Sequence, residues 1–128
     1  MNRYIIDSWI WVEYFEGKSE KVKDIIESEN NEIYTTQITL SEIISVSKRK
    51  NKNVDEIFKS LIYLSKIYSG DLLFYKFVGE LHSEIKKKIK DFGLADAFVL
   101  ATARRLNAKI ITGDPHFKGF KEAILLQS

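Results

Sequence analysis

One stretch of the chain decides the fold: GLADAFVLATARRLNAKIITGDPHF, residues 93–117. Its first half is apolar on almost every side at helical spacing, which predicts a helix over residues 94–107. Its second half contains the β-branched run KIIT and predicts a strand over residues 109–112. Strands separated by helices are typical of α/β proteins, so this unit predicts that class.

A single acid, Asp96, interrupts the apolar helix. At helical spacing it shares a face with Val99, Leu100 and Ala103. Burying its charge is costly, and the helix dipole offsets only roughly 0.3–1 kcal/mol of that cost. No basic residue lies within one turn of it on the same helix. Protonation, a distant Arg or Lys, or a bound cation could each compensate the charge.

The alternation of strand-like and helix-like segments continues through the whole chain. It predicts a single domain over residues 1–128, with three α/β/α layers around a mainly parallel sheet of four or five strands. The predicted strands cover residues 4–6, 33–37, 72–77, 109–112 and 123–126. The predicted helices cover residues 9–16, 19–28, 39–50, 53–68, 78–89 and 94–107.

Four acids stand close to the ends of predicted strands. Asp7 follows the first strand and Asp114 the fourth, while Glu42 opens the helix after the second strand. Asp96 opens the helix that leads into the fourth strand. Because ligands of open α/β sheets bind outside the carboxyl ends of the strands, we expect these four acids to meet there.

Three of these acids also have a simple structural explanation. Asp7 suits the N-cap of the first helix. Glu42 completes a capping box, TLSE, over residues 39–42. Asp114 precedes Pro115, and Asp before Pro is a usual turn initiator.

A hard divalent cation explains the four acids together better than separate caps do. Clustered carboxylates repel and raise one another's pKa values. Mg²⁺ takes oxygen ligands, typically one or two carboxylates together with waters and phosphate oxygens. With these four of the 18 acids set aside, the 20 Lys and Arg residues leave the remaining surface basic, which suits a polyanionic partner.

Other functional classes lack support in the sequence. It contains no cysteine and no G-x-S-x-G, Walker A or G-x-G-x-x-G pattern. His82 and His116 have no recognisable partner motif, so we expect both at the surface. The apolar N-terminus contains Asp7 and is too short for a membrane span, which leads us to expect a cytoplasmic protein without a signal peptide.

The sequence resembles a PIN domain over nearly its whole length. The resemblance is carried by YIIDSWIWVEYF at the start, TTQITLSEI in the middle and GLADAFVLATARRLNAKIITGDPHF at the end. The last block is the most specific, because it combines Asp-Ala in an alanine-rich helix with a strand and T-x-D-x-x-F. Within the family, the chain is most similar to the small VapC-like toxins of prokaryotic, particularly archaeal, toxin–antitoxin pairs.

The resemblance implies an endoribonuclease that depends on Mg²⁺ or Mn²⁺ and acts as the toxin of a type II pair. Asp7, Glu42, Asp96 and Asp114 would form its catalytic metal site, with Asp7 and Asp96 as direct ligands. Thr112 matches the family's hydroxyl residue two positions before the last acid. The resemblance also implies a homodimer and a VapB-type antitoxin that inserts a segment into the active-site groove.

One position departs from the family pattern. Trp9 stands where the family often has a small polar residue, so we expect Ser8 to supply the supporting hydroxyl instead. The clusters of Lys and Arg suit RNA in general, but no aromatic-rich motif picks out residues that would bind it.

Two other functions stay open. One is a PIN-fold nuclease that cleaves DNA or processes RNA outside a toxin–antitoxin pair. The other is a non-catalytic partner-binding module, which the loss of an acid would favour, and none of the four is lost. A phosphorylated receiver-like regulator would need an acidic pair beside the first strand, where Ile5 and Ile6 stand.

Overall fold

The structure, a computed structural model, describes residues 1–126 of the chain. Five strands form one sheet: β1 (Asn2–Ile6), β2 (Asn31–Thr36), β3 (Lys66–Tyr68), β4 (Lys109–Thr112) and β5 (Ala123–Leu125). Their order is β3-β2-β1-β4-β5, and every neighbouring pair is parallel. The predicted α/β class with a central parallel sheet is confirmed.

Helices cover both faces of this sheet. They are α1 (Ser8–Phe15), α2 (Glu20–Glu27), α3 (Gln37–Arg49), α4 (Val54–Leu64), α5 (Leu72–Lys86) and α6 (Leu94–Leu106). A short 3₁₀ turn, Pro115–Phe117, follows β4. Within residues 1–126, no helix combines the length and the apolar character needed to cross a membrane.

The two central strands border two separate hydrophobic cores. Ile5 of β1 packs with residues of α5 and α6, whereas Ile6 packs with residues of α1, α2, α3 and α4 on the opposite face. Ile110 and Ile111 of β4 repeat this alternation, paired in register with Ile5 and Ile6. Because both faces are covered, these strands appear in the sequence as continuous apolar runs.

The strand order reverses between β1 and β4. The chain moves outward from β1 through β2 to β3, and then returns to the other side of β1 to form β4 and β5. Such a reversal opens a crevice at the carboxyl ends of the two strands, where open α/β sheets bind their ligands. Asp7 directly follows β1 and Asp114 lies two residues after β4.

The prediction of a strand over residues 72–77 is wrong. The run LLFYKF is apolar and aromatic enough to suggest a buried strand, but Leu72 and Leu73 are 84% and 76% exposed. The run forms the first turns of α5, which buries Phe74 and Val78 one helical turn apart. Helical spacing, not a continuous run, therefore decides which of its residues are buried.

The third strand lies earlier than predicted. β3 covers only Lys66–Tyr68, because the helix predicted over residues 53–68 ends at Leu64. Ser65 stops that helix in an extended conformation. A three-residue edge strand has too few residues for a period-2 pattern, so the sequence pattern predicts its apolar positions as the last turn of the helix.

The N-cap of α5 offers a direct test of this correction. The Asp71 carboxylate accepts the backbone N–H of Phe74 at 2.8 Å. We expect Asp71→Ala to lower the free energy of unfolding by about 1 kcal/mol, because the backbone N–H of Phe74 loses its acceptor. Asp71→Asn keeps an acceptor and should change stability much less. Urea unfolding of both variants measures the difference, and equal effects would argue against a cap at this position.

Candidate metal centre

The structure brings the four acids together at the carboxyl edge of the sheet. Asp7 begins α1, Asp96 lies in the first turn of α6, and Asp114 begins the 3₁₀ turn. Glu42 reaches the same place from the second turn of α3. The charge of Asp7 affects Glu42 and Asp96, and the charge of Asp114 affects Asp7 and Asp96.

Asp7 is held through both carboxylate oxygens. Its Oδ1 accepts the backbone N–H of Ser8 at 2.9 Å, as the N-cap of α1, and its Oδ2 accepts the Thr112 hydroxyl at 2.7 Å. Burial raises the pKa of the Asp7 carboxyl, and the charge of Asp114 adds to that rise. The hydrogen bonds from Thr112 and Ser8 oppose it. Asp7 therefore caps a helix and belongs to the acidic cluster at once.

Thr112 connects two of the acids. Its side chain is fully buried, and its hydroxyl donates to Asp7 Oδ2 while it accepts the backbone N–H of Asp114 at 3.0 Å. One hydroxyl thus links the end of β1 to the segment that follows β4. The carboxylate of Asp7 and the backbone of Asp114 cannot move independently of it.

The predicted capping box over residues 39–42 is wrong. α3 begins two residues earlier, at Gln37, and its N-cap is Thr36. The Thr36 hydroxyl accepts the backbone N–H of Thr39 at 3.0 Å. Glu42 therefore has no capping role, and the simplest structural explanation for its carboxylate no longer applies.

Glu42 instead directs its carboxylate toward the other acids from the solvent-exposed rim of the site. Partial burial of this carboxylate raises the pKa of Glu42, and the charges of Asp7 and Asp96 raise it further. The Ser8 side chain has the opposite effect. Ser8 thus contacts two of the four acids, Asp7 through its backbone and Glu42 through its side chain.

Asp96 receives one hydrogen bond, from the backbone N–H of Gly93 to its Oδ2 at 2.9 Å. Burial raises the pKa of the Asp96 carboxyl, and the charges of Asp114 and Asp7 add to the rise. The Gly93 hydrogen bond and the nearby His116 oppose it. The pKa of Asp96 is raised on balance, so this helix-capping contact does not compensate the burial of its charge.

Among the residues that the structure describes, no lysine or arginine forms an ion pair with the cluster. Among residues 1–126, the ion pairs formed by Lys and Arg leave out all four acids. Within the described chain, a distant Arg or Lys is therefore excluded as the group that compensates the buried charge of Asp96. Protonation and a bound cation remain as explanations.

His116 is the site residue that the sequence analysis missed. Asp114 Oδ1 accepts the backbone N–H of His116 at 2.9 Å, and this turn places the His116 Nδ1 atom 3.0 Å from the same oxygen. The side chain as a whole is 35% exposed, as expected for a histidine at the surface, but its Nδ1 atom is buried. The sequence Asp-Pro-His, residues 114–116, could have indicated this position of His116. An Asp that caps a turn accepts the N–H of the second residue after it and so brings that residue close to its own carboxylate. His82, by contrast, bonds to the Phe92 carbonyl.

The donor set fits a divalent cation. Asp96, Asp114 and His116 each offer a ligand atom, and these atoms lie within 4.8 Å of one another. Carboxylates that raise one another's pKa values and lack a Lys or Arg partner are arranged as ligands of a hard cation would be. Such a cation would neutralise the repulsion that the fold itself leaves in place.

Comparison with known proteins places this geometry in context. A family model described as the PIN domain matches residues 4–123. No curated protein sequence matches the chain.

Several solved structures have a similar fold. The VapBC2 structure from Rickettsia felis, bound to a promoter DNA fragment, has a TM-score of 0.75 at 23% identity and covers 97% of each chain. The DNA-bound VapBC structure from Salmonella typhimurium has a TM-score of 0.76 at 14% identity and covers 98% of each chain. VapC20 from Mycobacterium tuberculosis, described as a Sarcin-Ricin loop cleaving toxin, has a TM-score of 0.68 at 11% identity, covering 97% of this chain and 89% of its own. At such identities the likeness shows the fold alone.

The raised pKa of Asp96 predicts a pH dependence of stability in metal-free protein. The folded-state value lies above the ordinary 3.8, so the folded protein binds this proton more tightly than the unfolded chain. Stability from this group is therefore lost as the pH rises from the unfolded value through the folded one. Asp96→Asn removes the titration and keeps an acceptor for Gly93. We expect its free energy of unfolding, relative to the wild type, to increase between about pH 3 and about pH 7.

Urea unfolding in EDTA at each pH measures this difference. A variant that loses stability relative to the wild type as the pH rises would contradict the prediction. It would mean that the Gly93 hydrogen bond and the helix dipole outweigh burial and repulsion at Asp96.

Proposed function

The chain belongs to the PIN domain family, and from this premise and its acidic site we propose that it is an endoribonuclease dependent on Mg²⁺ or Mn²⁺. The observation that carries the proposal is the convergence of Asp7, Glu42, Asp96 and Asp114 at the carboxyl edge of the sheet. Within residues 1–126, no Lys or Arg forms an ion pair with any of them. Isolated caps would not need to converge. A shared cation accounts for all four.

The residues present suit the cation in distinct ways. Asp7 and Asp96 are the proposed direct ligands, and Glu42 and Asp114 bind directly or through water. A divalent cation in this site would lower the pKa of a bound water and neutralise charge on the scissile phosphate.

The chain itself holds these ligands in place. Thr112 fixes Asp7 relative to Asp114, Ser8 lies against Glu42, and the Gly93 N–H orients Asp96. Preorganised ligands need no rearrangement when cation and substrate arrive, which favours catalysis.

We further propose that the protein is the toxin of a VapBC-like type II pair, cytoplasmic, homodimeric and silenced by a VapB-type antitoxin. Residues 1–128 would act as one domain, since a single sheet borders both hydrophobic cores of the described chain. The VapBC complexes among its structural neighbours support the toxin assignment. The excess of Lys and Arg outside the acidic cluster suits RNA as the substrate.

Removal of one ligand tests the proposed activity. We expect Asp96→Asn to reduce Mg²⁺- or Mn²⁺-dependent cleavage of single-stranded RNA by about a hundredfold or more, because the cation loses a ligand. Asp24, an exposed Asp on α2, provides the matched control, and Asp24→Asn should cleave like the wild type. Gel assays with EDTA arms measure this, and a parallel single-stranded DNA substrate distinguishes the ribonuclease from a DNA nuclease.

Thermal melting supplies a readout that is independent of substrate. Mg²⁺ or Mn²⁺ should raise the melting temperature of the wild type and of Asp24→Asn, but much less that of Asp96→Asn. Full RNA cleavage by Asp96→Asn, or an unchanged melting increment in that variant, would remove the basis for the metal site.

The supporting role of Thr112 gives a second test. Thr112→Val keeps the shape of the buried side chain but leaves Asp7 Oδ2 and the Asp114 N–H without their shared partner. We expect the apparent affinity for Mg²⁺ to fall by about 10–100-fold, as for other residues that orient metal ligands. Thr112→Ser keeps the hydroxyl and should retain most of the affinity. If the two variants bind Mg²⁺ equally, the hydroxyl does not orient the site.

A further inference from the structure

We propose that His116 is a nitrogen ligand of this metal site and that it makes the site prefer Mn²⁺ to Mg²⁺. The inference rests on the proposed function, because it concerns the cation held by the same acids. It goes beyond that function by adding a fifth side chain to the site and by naming which cation the chain selects.

The distance between His116 and Asp114 fits two ligands of one cation. His116 Nδ1 lies 3.0 Å from Asp114 Oδ1. Adjacent ligands of an octahedral cation, each about 2.1 Å from the metal, lie about 3.0 Å apart. The ligand atoms of Asp96, Asp114 and His116 are all within 4.8 Å of one another, so the three side chains surround one small volume.

The state of the nitrogen atom supports the same conclusion. His116 Nδ1 is buried and has no hydrogen-bond partner among residues 1–126, although Asp114 Oδ1 is near, because the two atoms are not aligned for an N–H···O bond. Buried polar atoms are normally satisfied. A cation between the imidazole and the carboxylates would give this nitrogen its partner.

The turn that carries the imidazole is fixed by packing. The backbone N–H of His116 is bonded to Asp114 Oδ1, and the next residue, Phe117, is fully buried. The Phe117 ring packs edge-on against Phe92 and Phe120, with centroids 5.7 and 6.3 Å away. The buried ring anchors the 3₁₀ turn, and the turn presents His116 to the acids.

A nitrogen ligand changes which cation the site favours. Mg²⁺ is a hard ion that takes oxygen ligands and water. Imidazole is a better ligand for first-row transition ions than for Mg²⁺, so one histidine shifts the balance of affinities toward a first-row ion. Mn²⁺ is the first-row ion that also suits carboxylate ligands, which form the rest of this site. A site of carboxylates alone suits both cations.

The test compares the two histidines of the chain. His116→Ala removes the proposed ligand, and His82→Ala is the control. His82 offers no ligand atom to the cluster, but it bonds to the Phe92 carbonyl, which shares a peptide group with the Gly93 N–H that orients Asp96. Calorimetric titration of metal-free protein with Mn²⁺ and with Mg²⁺ measures both affinities without any substrate. We expect His116→Ala to weaken Mn²⁺ binding by about tenfold or more and to change Mg²⁺ binding little, whereas His82→Ala should leave the ratio of the two affinities unchanged.

Pulsed electron paramagnetic resonance of bound Mn²⁺ provides evidence that needs no variant. A ¹⁴N coupling of imidazole type is expected in the wild type and in His82→Ala, and it should disappear in His116→Ala. Bound Mn²⁺ without nitrogen coupling overturns the inference. So does an equal loss of Mn²⁺ and Mg²⁺ affinity in His116→Ala, which would show that His116 only positions Asp114.

The same experiments separate this inference from the proposed function. If Mn²⁺ binds to the wild type, and binds more weakly to Asp96→Asn, but shows no nitrogen coupling, only the role of His116 fails. If the wild type binds neither cation, or if Asp96→Asn binds both undiminished, the proposed metal site fails and this inference fails with it.

Discussion

The hydrogen bond from the Thr112 hydroxyl to Asp7 Oδ2 is the contact on which the acidic site depends. It joins residues 105 positions apart in the sequence across the paired strands β1 and β4. The same hydroxyl accepts the backbone N–H of Asp114, so a single buried oxygen sets the spacing between the ends of two strands. The carboxylates around this contact repel one another, and the pairing of β1 with β4 keeps them close despite that repulsion.

Much of this arrangement could be predicted from the sequence, because buried parallel strands leave a strong pattern. The runs YII and KIIT identify β1 and β4, and each is followed within two residues by an acid. Because the carboxyl ends of parallel strands lie at one edge of the sheet, Asp7 and Asp114 are expected to lie together there even when their contacts are not known. The sequence also indicates that Asp96 belongs to a functional site, because a charge on an apolar helical face requires a compensating group.

The remaining features could not be predicted, since local patterns allowed more than one solution. Residues 72–77 suit a strand or a helix, and only the packing of Phe74 against the sheet decides between them. Thr36 and Thr39 are both good caps, and the one nearer the strand end begins α3. The position of the His116 ring follows from the geometry of a three-residue turn, which no periodicity in the sequence reveals.

The strand order has a consequence for the synthesis of the protein. Asp7 and Glu42 belong to the first half of the chain, whereas Asp96 and Asp114 belong to its last third. A nascent chain can pair β1, β2 and β3 while Asp96 and Asp114 are still absent from the site, because α6 and β4 have not yet been made. The repulsion that involves Asp96 and Asp114 therefore arises only in the final stage of folding, when α6 and β4 complete the hydrophobic core around Ile5. The set of four acids is thus complete only when translation is almost finished.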